Sequence, residues 1–266
     1  KDLFKKFLEK VPSFGKSFVC VDDKVNKQII NKINVKNFYT YGISDKSNFQ
    51  IFDIVQKKNF SKFSLKINLP NRKNYKINNI IVPILGMHNI RNATAAIAVA
   101  ITIGISEKII KSGLYNFKGV QRRFNKIFTY RGSEFYDDYA HHPSEIKEVL
   151  SGVREAYKKE KIVCVFQPHR ISRLKDLRKE FSFSFKKSDI VILCPLYTAG
   201  EKLSLGFNYN LFAEEIIKNS KVKLFLVNDQ FQLARFIKQS IHGKEIVIGM
   251  GAGSISNWMR QLPSLL

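Results

Sequence analysis

The stretch Ser133-Glu134-Phe135-Tyr136-Asp137-Asp138-Tyr139-Ala140-His141-His142-Pro143 leads through two aromatics into a cluster of acids and histidines, and then into Ser144-Glu145. Residues 133–137 read as a strand. Proline at a first helical position, followed by an acid in the first turn, predicts a helix over 143–157. The rhythm continues to the end of the chain: strands over 161–166, 189–194, 222–227 and 245–249 alternate with helices over 172–187, 208–219, 229–240 and 254–262. Such alternation implies an α/β domain with a mainly parallel sheet and helices on both faces. In open sheets of this kind, ligands bind outside the carboxyl ends of the strands.

Upstream the pattern differs. Residues 3–10 read as an amphipathic helix, 17–21 as a short strand and 24–33 as a further helical segment. Residues 36–82 are β-rich, with alternating strands such as Phe60-Ser61-Lys62-Phe63-Ser64-Leu65 separated by Asn, Lys and Pro turn clusters. An alanine-rich helix follows from about Ile90 to Ile103, then a second to about Phe117. The change of rhythm at Gly119 divides the chain into domains 1–118 and 119–266.

A chain of 266 residues with 44% hydrophobic residues can bury one large core or two ordinary ones. It has no apolar run of membrane-spanning length, and Lys1-Asp2-Leu3-Phe4-Lys5-Lys6-Phe7 alternates charge with hydrophobe, unlike a signal peptide. A soluble cytoplasmic protein without a membrane partner is expected. Cys20, Cys164 and Cys194 are odd in number and widely spaced, two of them in apolar runs, which predicts neither disulfides nor a zinc site.

The net charge of +23 would suit a nucleic-acid partner. The 34 lysines, however, are scattered beside many Asn and Ile, as compositional bias would leave them. Five of the 11 arginines fall in two groups, Arg122-Arg123 and Arg170/Arg173/Arg178. A nucleic-acid binder should interleave aromatics with a basic stripe, whereas these arginines sit at strand ends, so no nucleic-acid partner is expected.

Four strand ends carry polar clusters: 138–143; Gln167-Pro168-His169-Arg170-Ile171-Ser172-Arg173; Pro195-Leu196-Tyr197-Thr198-Ala199-Gly200-Glu201; and Met250-Gly251-Ala252-Gly253-Ser254. Three of the five histidines lie on this rim. A helix start accounts for Pro143 and Glu145 but not for two histidines behind two aspartates. Arg170 and Arg173, one helical turn apart, would present paired donors to a carboxylate or phosphate, or else form a solvated helix start. The glycines after 249 read either as a tight turn or as a ligand contact. In the first domain, Gly86-Met87-His88-Asn89-Ile90-Arg91-Asn92 precedes the alanine-rich helix. Its polar groups would cluster at a positive helix end, where amides pair with a purine edge or Asn89 simply caps the helix.

Together, Gly86-x-His88-Asn89-x-x-Asn92-x-x-Ala95-Ala96, Arg122-Arg123-Phe124 and Asp137-Asp138-Tyr139-Ala140-His141-His142-Pro143 resemble the Mur ligase family over nearly the whole chain. The last string, with Phe166-Gln167-Pro168-His169-Arg170, is similar to the branch that adds L-alanine. The resemblance implies the remnant of a central ATPase domain over 1–118, followed by a Rossmann-like carboxy-terminal domain. It also implies ligation of L-alanine to UDP-N-acetylmuramate, driven by ATP through an acyl phosphate, in cell-wall precursor synthesis. His88, Asn89 and Asn92 would hold the adenine, Arg123 the phosphates and Asp138 the ribose hydroxyls. Tyr139, His141, Arg170 and Arg173 would surround the amino acid, with Arg123 and His141 in catalytic roles.

No G-x-x-x-x-G-K-[ST] phosphate loop occurs in the sequence. The resemblance therefore implies a chain shortened at its amino end, with the UDP-binding domain and the Mg2+ ligands upstream, and no ATP turnover by the segment alone. A murein tripeptide ligase of the same family and a non-catalytic nucleotide- or nucleic-acid-binding module are the competing readings.

Overall fold

A computed structural model describes residues 1–34, 37–70, 73–202 and 207–266, which form two compact units, Lys1–Lys118 and Gly119–Leu266. Of the expected β-rich stretch, residues 36, 71 and 72 lie outside the described set.

The first unit contains α1 (Asp2–Glu9), β1 (Ser17–Cys20), α2 (Lys24–Ile30), β2 (Phe38–Gly42), β3 (Phe49–Lys57), β4 (Phe60–Ile67), β5 (Tyr75–Val82), α3 (Met87–Thr102) and α4 (Glu107–Tyr115). Its sheet has the order β1-β2-β3-β4-β5, parallel from β1 to β3 and antiparallel from β3 to β5. Alternation along β3 and β4 sends Phe49, Ile51, Phe63 and Leu65 into a core with Ile90, Ile97 and Ile101 of α3. The small alanines between those isoleucines let the helix lie close to the sheet. Helix α3 starts at Met87, three residues before the expected Ile90, because the Gly86 carbonyl accepts from the N–H groups of Asn89 and Ile90. The polar motif therefore forms the first two turns of the helix instead of preceding it.

The second unit comprises β6 (Asn125–Tyr130), β7 (Ser133–Asp138), α5 (Pro143–Ala156), β8 (Ile162–Phe166), α6 (Ile171–Asp176), α7 (Arg178–Ser182), β9 (Ile190–Leu193), α8 (Tyr209–Ser220), β10 (Lys223–Leu226), α9 (Gln230–Ser240), β11 (Ile246–Met250) and α10 (Ile255–Leu265). The strand order is β10-β9-β8-β11-β7-β6, and every pairing is parallel except β6 with β7. Strands β8 and β11 are buried along their whole length, as sheet centres covered on both faces require. Cys164 and Cys194 sit in this interior, and burial pushes both thiols up.

Two expectations change here. The edge strand β6 was not foreseen; Arg131 and Gly132, both at positive φ (49° and 83°), make the two-residue turn that folds it onto β7. The single helix expected over 172–187 is broken at Leu177 into α6 and α7, and α7 ends at Ser182. There Ser182 and Ser184 donate their hydroxyls to the carbonyls of Lys179 and Glu180, an alternative to continued helix.

Candidate functional site

Strand β11 lies between β7 and β8, so the succession of strands reverses at the centre of the second sheet, where open α/β sheets form their binding crevice. The loops after β7, β8, β9 and β11 meet there.

Asp138 ends β7 and is buried. One carboxylate oxygen accepts from the Ala140 N–H at 2.7 Å and the other from the Phe124 N–H at 2.8 Å. Burial pushes its pKa up to about 6, against the opposing pull of those two N–H groups and of Arg123. Phe124 is further fixed by stacking on Tyr136, with ring centroids 4.1 Å apart. Arg122 and Phe124 both occupy the left-handed region, at φ 59° and 51°, on either side of Arg123. Non-glycine residues there are strained and persist only where their surroundings hold them. The Tyr139 N–H donates to the Arg122 carbonyl at 2.7 Å, and the Arg122 guanidinium donates to the Gly251 carbonyl at 2.7 Å while lying 4.7 Å from the Tyr139 ring. Arg122 is thus a strut between two loops. Arg123, 6.0 Å from the same ring, is the member of the pair left at the rim.

His141 is held through Nδ1 by the Tyr139 carbonyl at 2.8 Å, its ring edge-on to Tyr139. The next residue, His142, caps α5, whose Glu145 accepts from the N–H groups of His141 and His142 in a capping box. Glu145 and Pro143 are accordingly helix-start residues.

After β8, His169 lies 5.9 Å from His141 and stacks on Tyr197 at 5.4 Å. Burial, then Arg173, His141 and Arg170, push its pKa below the ordinary histidine value, so the ring is neutral at pH 7. Arg170 does not belong to the helix that follows. It is the residue before α6, at φ 68°, with its N–H bound to the Tyr197 carbonyl at 2.8 Å. Arg173 is in the first turn of α6 and reaches His169 at 3.5 Å. Arg91, Arg154 and Arg178 pair with carboxylates at 2.5–2.8 Å. By contrast, among the described residues Arg123, Arg170 and Arg173 form no ion pair. Three guanidinium groups at a shared rim, none of them closed off in an ion pair among the described residues, make an anion-receiving surface.

The glycines after β11 are required by packing. A Cβ at Gly251 would fall 2.8 Å from the Gln167 carbonyl oxygen, and one at Gly253 would fall 2.6 Å from both the Gln167 side chain and the Tyr197 ring. Gln167, Tyr197, Glu201 and the strut role of Arg122 were not singled out from sequence. Their strand-end position was the available signal.

In the first unit, His88 lies over Gly86, the buried Asn89 donates to the Leu85 carbonyl at 2.6 Å, and Asn92 is exposed on α3. No group of three His, Cys, Asp or Glu side chains suited to a metal occurs among the described residues.

Residues 1–100 match the Mur ligase middle domain, and residues 122–253 match the Mur ligase glutamate ligase domain. The chain belongs to the Mur ligase family. This Mur ligase chain is 68% identical over all 266 residues to the UDP-N-acetylmuramate–L-alanine ligase of Pelagibacter ubique, covering 57% of that protein. It is 36% identical to the Rickettsia bellii ligase of the same name, with 98% of this chain aligned to 55% of that one. It therefore spans little more than half the length of these relatives. Among solved structures it shares the fold of the Thermotoga maritima UDP-N-acetylmuramate-alanine ligase (TM-score 0.71, 23% identity, 94% of this chain and 51% of that one). It also shares that of a murein peptide ligase from Psychrobacter arcticus (TM-score 0.68, 20% identity, 99% and 54%).

Proposed function

We propose that this Mur ligase chain is part of an enzyme that joins L-alanine to UDP-N-acetylmuramate at the expense of ATP, with the amino acid held at the rim of the second unit. The carrying observation is the 68% identity, over every residue, to a ligase of that name. The geometry of the rim is consistent with it. Arg170 and Arg173 would grip the alanine carboxylate, and His169 and Tyr139 would wall a small side chain. Arg123 would meet the ATP phosphates; Asp138, whose oxygens keep spare lone pairs, would accept from the ribose hydroxyls.

In the reaction, the γ-phosphoryl group passes from ATP to the muramoyl carboxylate, releasing ADP. The alanine amine then bonds to the acyl carbon, the carbon–oxygen bond to phosphate breaks, and phosphate leaves. With Nδ1 held by the Tyr139 carbonyl, His141 would use Nε2 to take the proton shed by the attacking amine. Arginines near the transferred group would stabilise its spreading negative charge.

The test joins this segment to the part of the Pelagibacter relative that it does not cover. With ATP and UDP-N-acetylmuramate, the joined protein should incorporate labelled L-alanine. Preference for murein tripeptide, or ATP-independent nucleotide binding alone, would overturn the reading.

A further inference from the structure

Helix α6 follows directly on Arg170 and carries Arg173 in its first turn, yet it is only six residues long and its N-cap, Arg170, makes no side-chain cap. Helices this short do not hold themselves together in water. The missing cap arrives from another loop. Glu201 accepts from the Ser172 N–H at 3.0 Å with one oxygen and from the Ser172 hydroxyl at 2.7 Å with the other. These bonds hold its pKa below the ordinary carboxylate value, so it is ionised at neutral pH.

The loop that delivers Glu201 is shaped for this. Ala199 and Gly200 both have positive φ (53° and 84°), and the Glu201 N–H closes the turn on the Thr198 carbonyl at 3.1 Å. Two consecutive left-handed residues fold the chain sharply back, and a non-glycine at the first is strained. The same loop is fastened to the strand end before α6 by Tyr197, whose N–H donates to the Pro168 carbonyl and whose carbonyl accepts from the Arg170 N–H, both at 2.8 Å. Its ring also stacks on His169.

We infer that Glu201 is a positioning residue for amino-acid recognition: by capping α6 from the neighbouring loop, it sets the direction of Arg170 and Arg173 without touching the substrate. The inference rests on the proposed assignment of these arginines to the alanine carboxylate. Removing a helix cap costs typically about 1 kcal/mol, or about fivefold.

In the joined protein, Glu201→Ala should raise the Michaelis constant for L-alanine about fivefold, and Glu201→Gln less, with that for ATP and kcat within about twofold. A purely structural clamp would not show dependence on the arginine. The effect of Glu201→Ala should therefore shrink markedly in an Arg173→Lys background. An unchanged alanine constant, equal losses for alanine and ATP, or full additivity with Arg173→Lys would overturn the inference. If the unsubstituted joined protein ligates no L-alanine, the proposed function fails first and the result is distinct.

Discussion

At the amino ends of β7, β8, β9 and β11 the polar side chains answer one another. Glu245 accepts from the Ser133 hydroxyl at 2.5 Å and the Gly243 N–H at 2.8 Å. Asp189 accepts from the Ile162 N–H at 2.7 Å and from Arg154 at 2.5 Å. Glu134 takes the hydroxyls of Tyr136 and Tyr157 together with Lys126. At the carboxyl ends of the same strands, Arg123, Arg170 and Arg173 form no ion pair among the described residues, and a carboxylate is buried against its own preference. One end of the sheet is satisfied and the other is poised. Unpaired charge gathers where ligands bind, because polar groups already satisfied by each other have nothing left to offer.

If that division is real, substitutions at the two ends should separate stability from substrate affinity. The largest stability effect is expected at the amino ends. Glu245→Ala strands buried donors and should destabilise the chain by about 2–3 kcal/mol, read by chemical unfolding, while alanine and ATP constants in the joined protein stay unchanged. A shift in those constants comparable to the loss of stability would dissolve the distinction.

Asp138→Asn sharpens the comparison from the other side. Losing a charged acceptor should weaken ATP by roughly 1.5–3 kcal/mol and L-alanine far less. Its pKa of about 6 lies above the ordinary 3.8. On acidification the folded protein therefore takes up this proton before the unfolded chain does. The cost of keeping the group charged is relieved as pH falls from about 6 toward 3.8, and returns as pH rises. ATP affinity should consequently decline below pH 6 without loss of stability from this group, and the decline should be absent in Asp138→Asn. Isothermal titration across pH 5 to 7, the window set by a pKa of about 6, checks both.

The smallest effect is expected at Arg154. Its partner Asp189 is half-exposed, so Arg154→Met should cost only about 0.5–1 kcal/mol, diminishing in high salt. A salt-independent loss would mean that its bonds to the Tyr157 and Glu160 carbonyls matter more than the ion pair.

The alternation that reveals the second sheet is legible because its central strands are apolar throughout and helices α5, α8 and α9 bring start signals of their own, Pro143 with Glu145, Asn208 and Asp229. The hairpin at β6 escaped because its strand is half-buried and alternates weakly, although Arg131-Gly132 was a usable turn signal. The rim histidines and arginines were visible as residue types at strand ends. The division of labour within Arg122-Arg123 was not, because adjacent residues of one kind differ only in what the fold places beside them. The role of Glu201 was hidden for a related reason: it acts on Ser172, 29 residues away in sequence.

The most direct test of the account is the kinetic separation of substrates at Arg170 and Arg173. Lysine keeps the charge but not the planar fork that a carboxylate matches. In the joined protein, Arg170→Lys and Arg173→Lys should each raise the Michaelis constant for L-alanine on the order of tenfold, from about 1.5–3 kcal/mol for a charged hydrogen bond, while that for ATP moves little. Impaired ATP or UDP-N-acetylmuramate use with unchanged alanine saturation would contradict the account and assign the pair to phosphates.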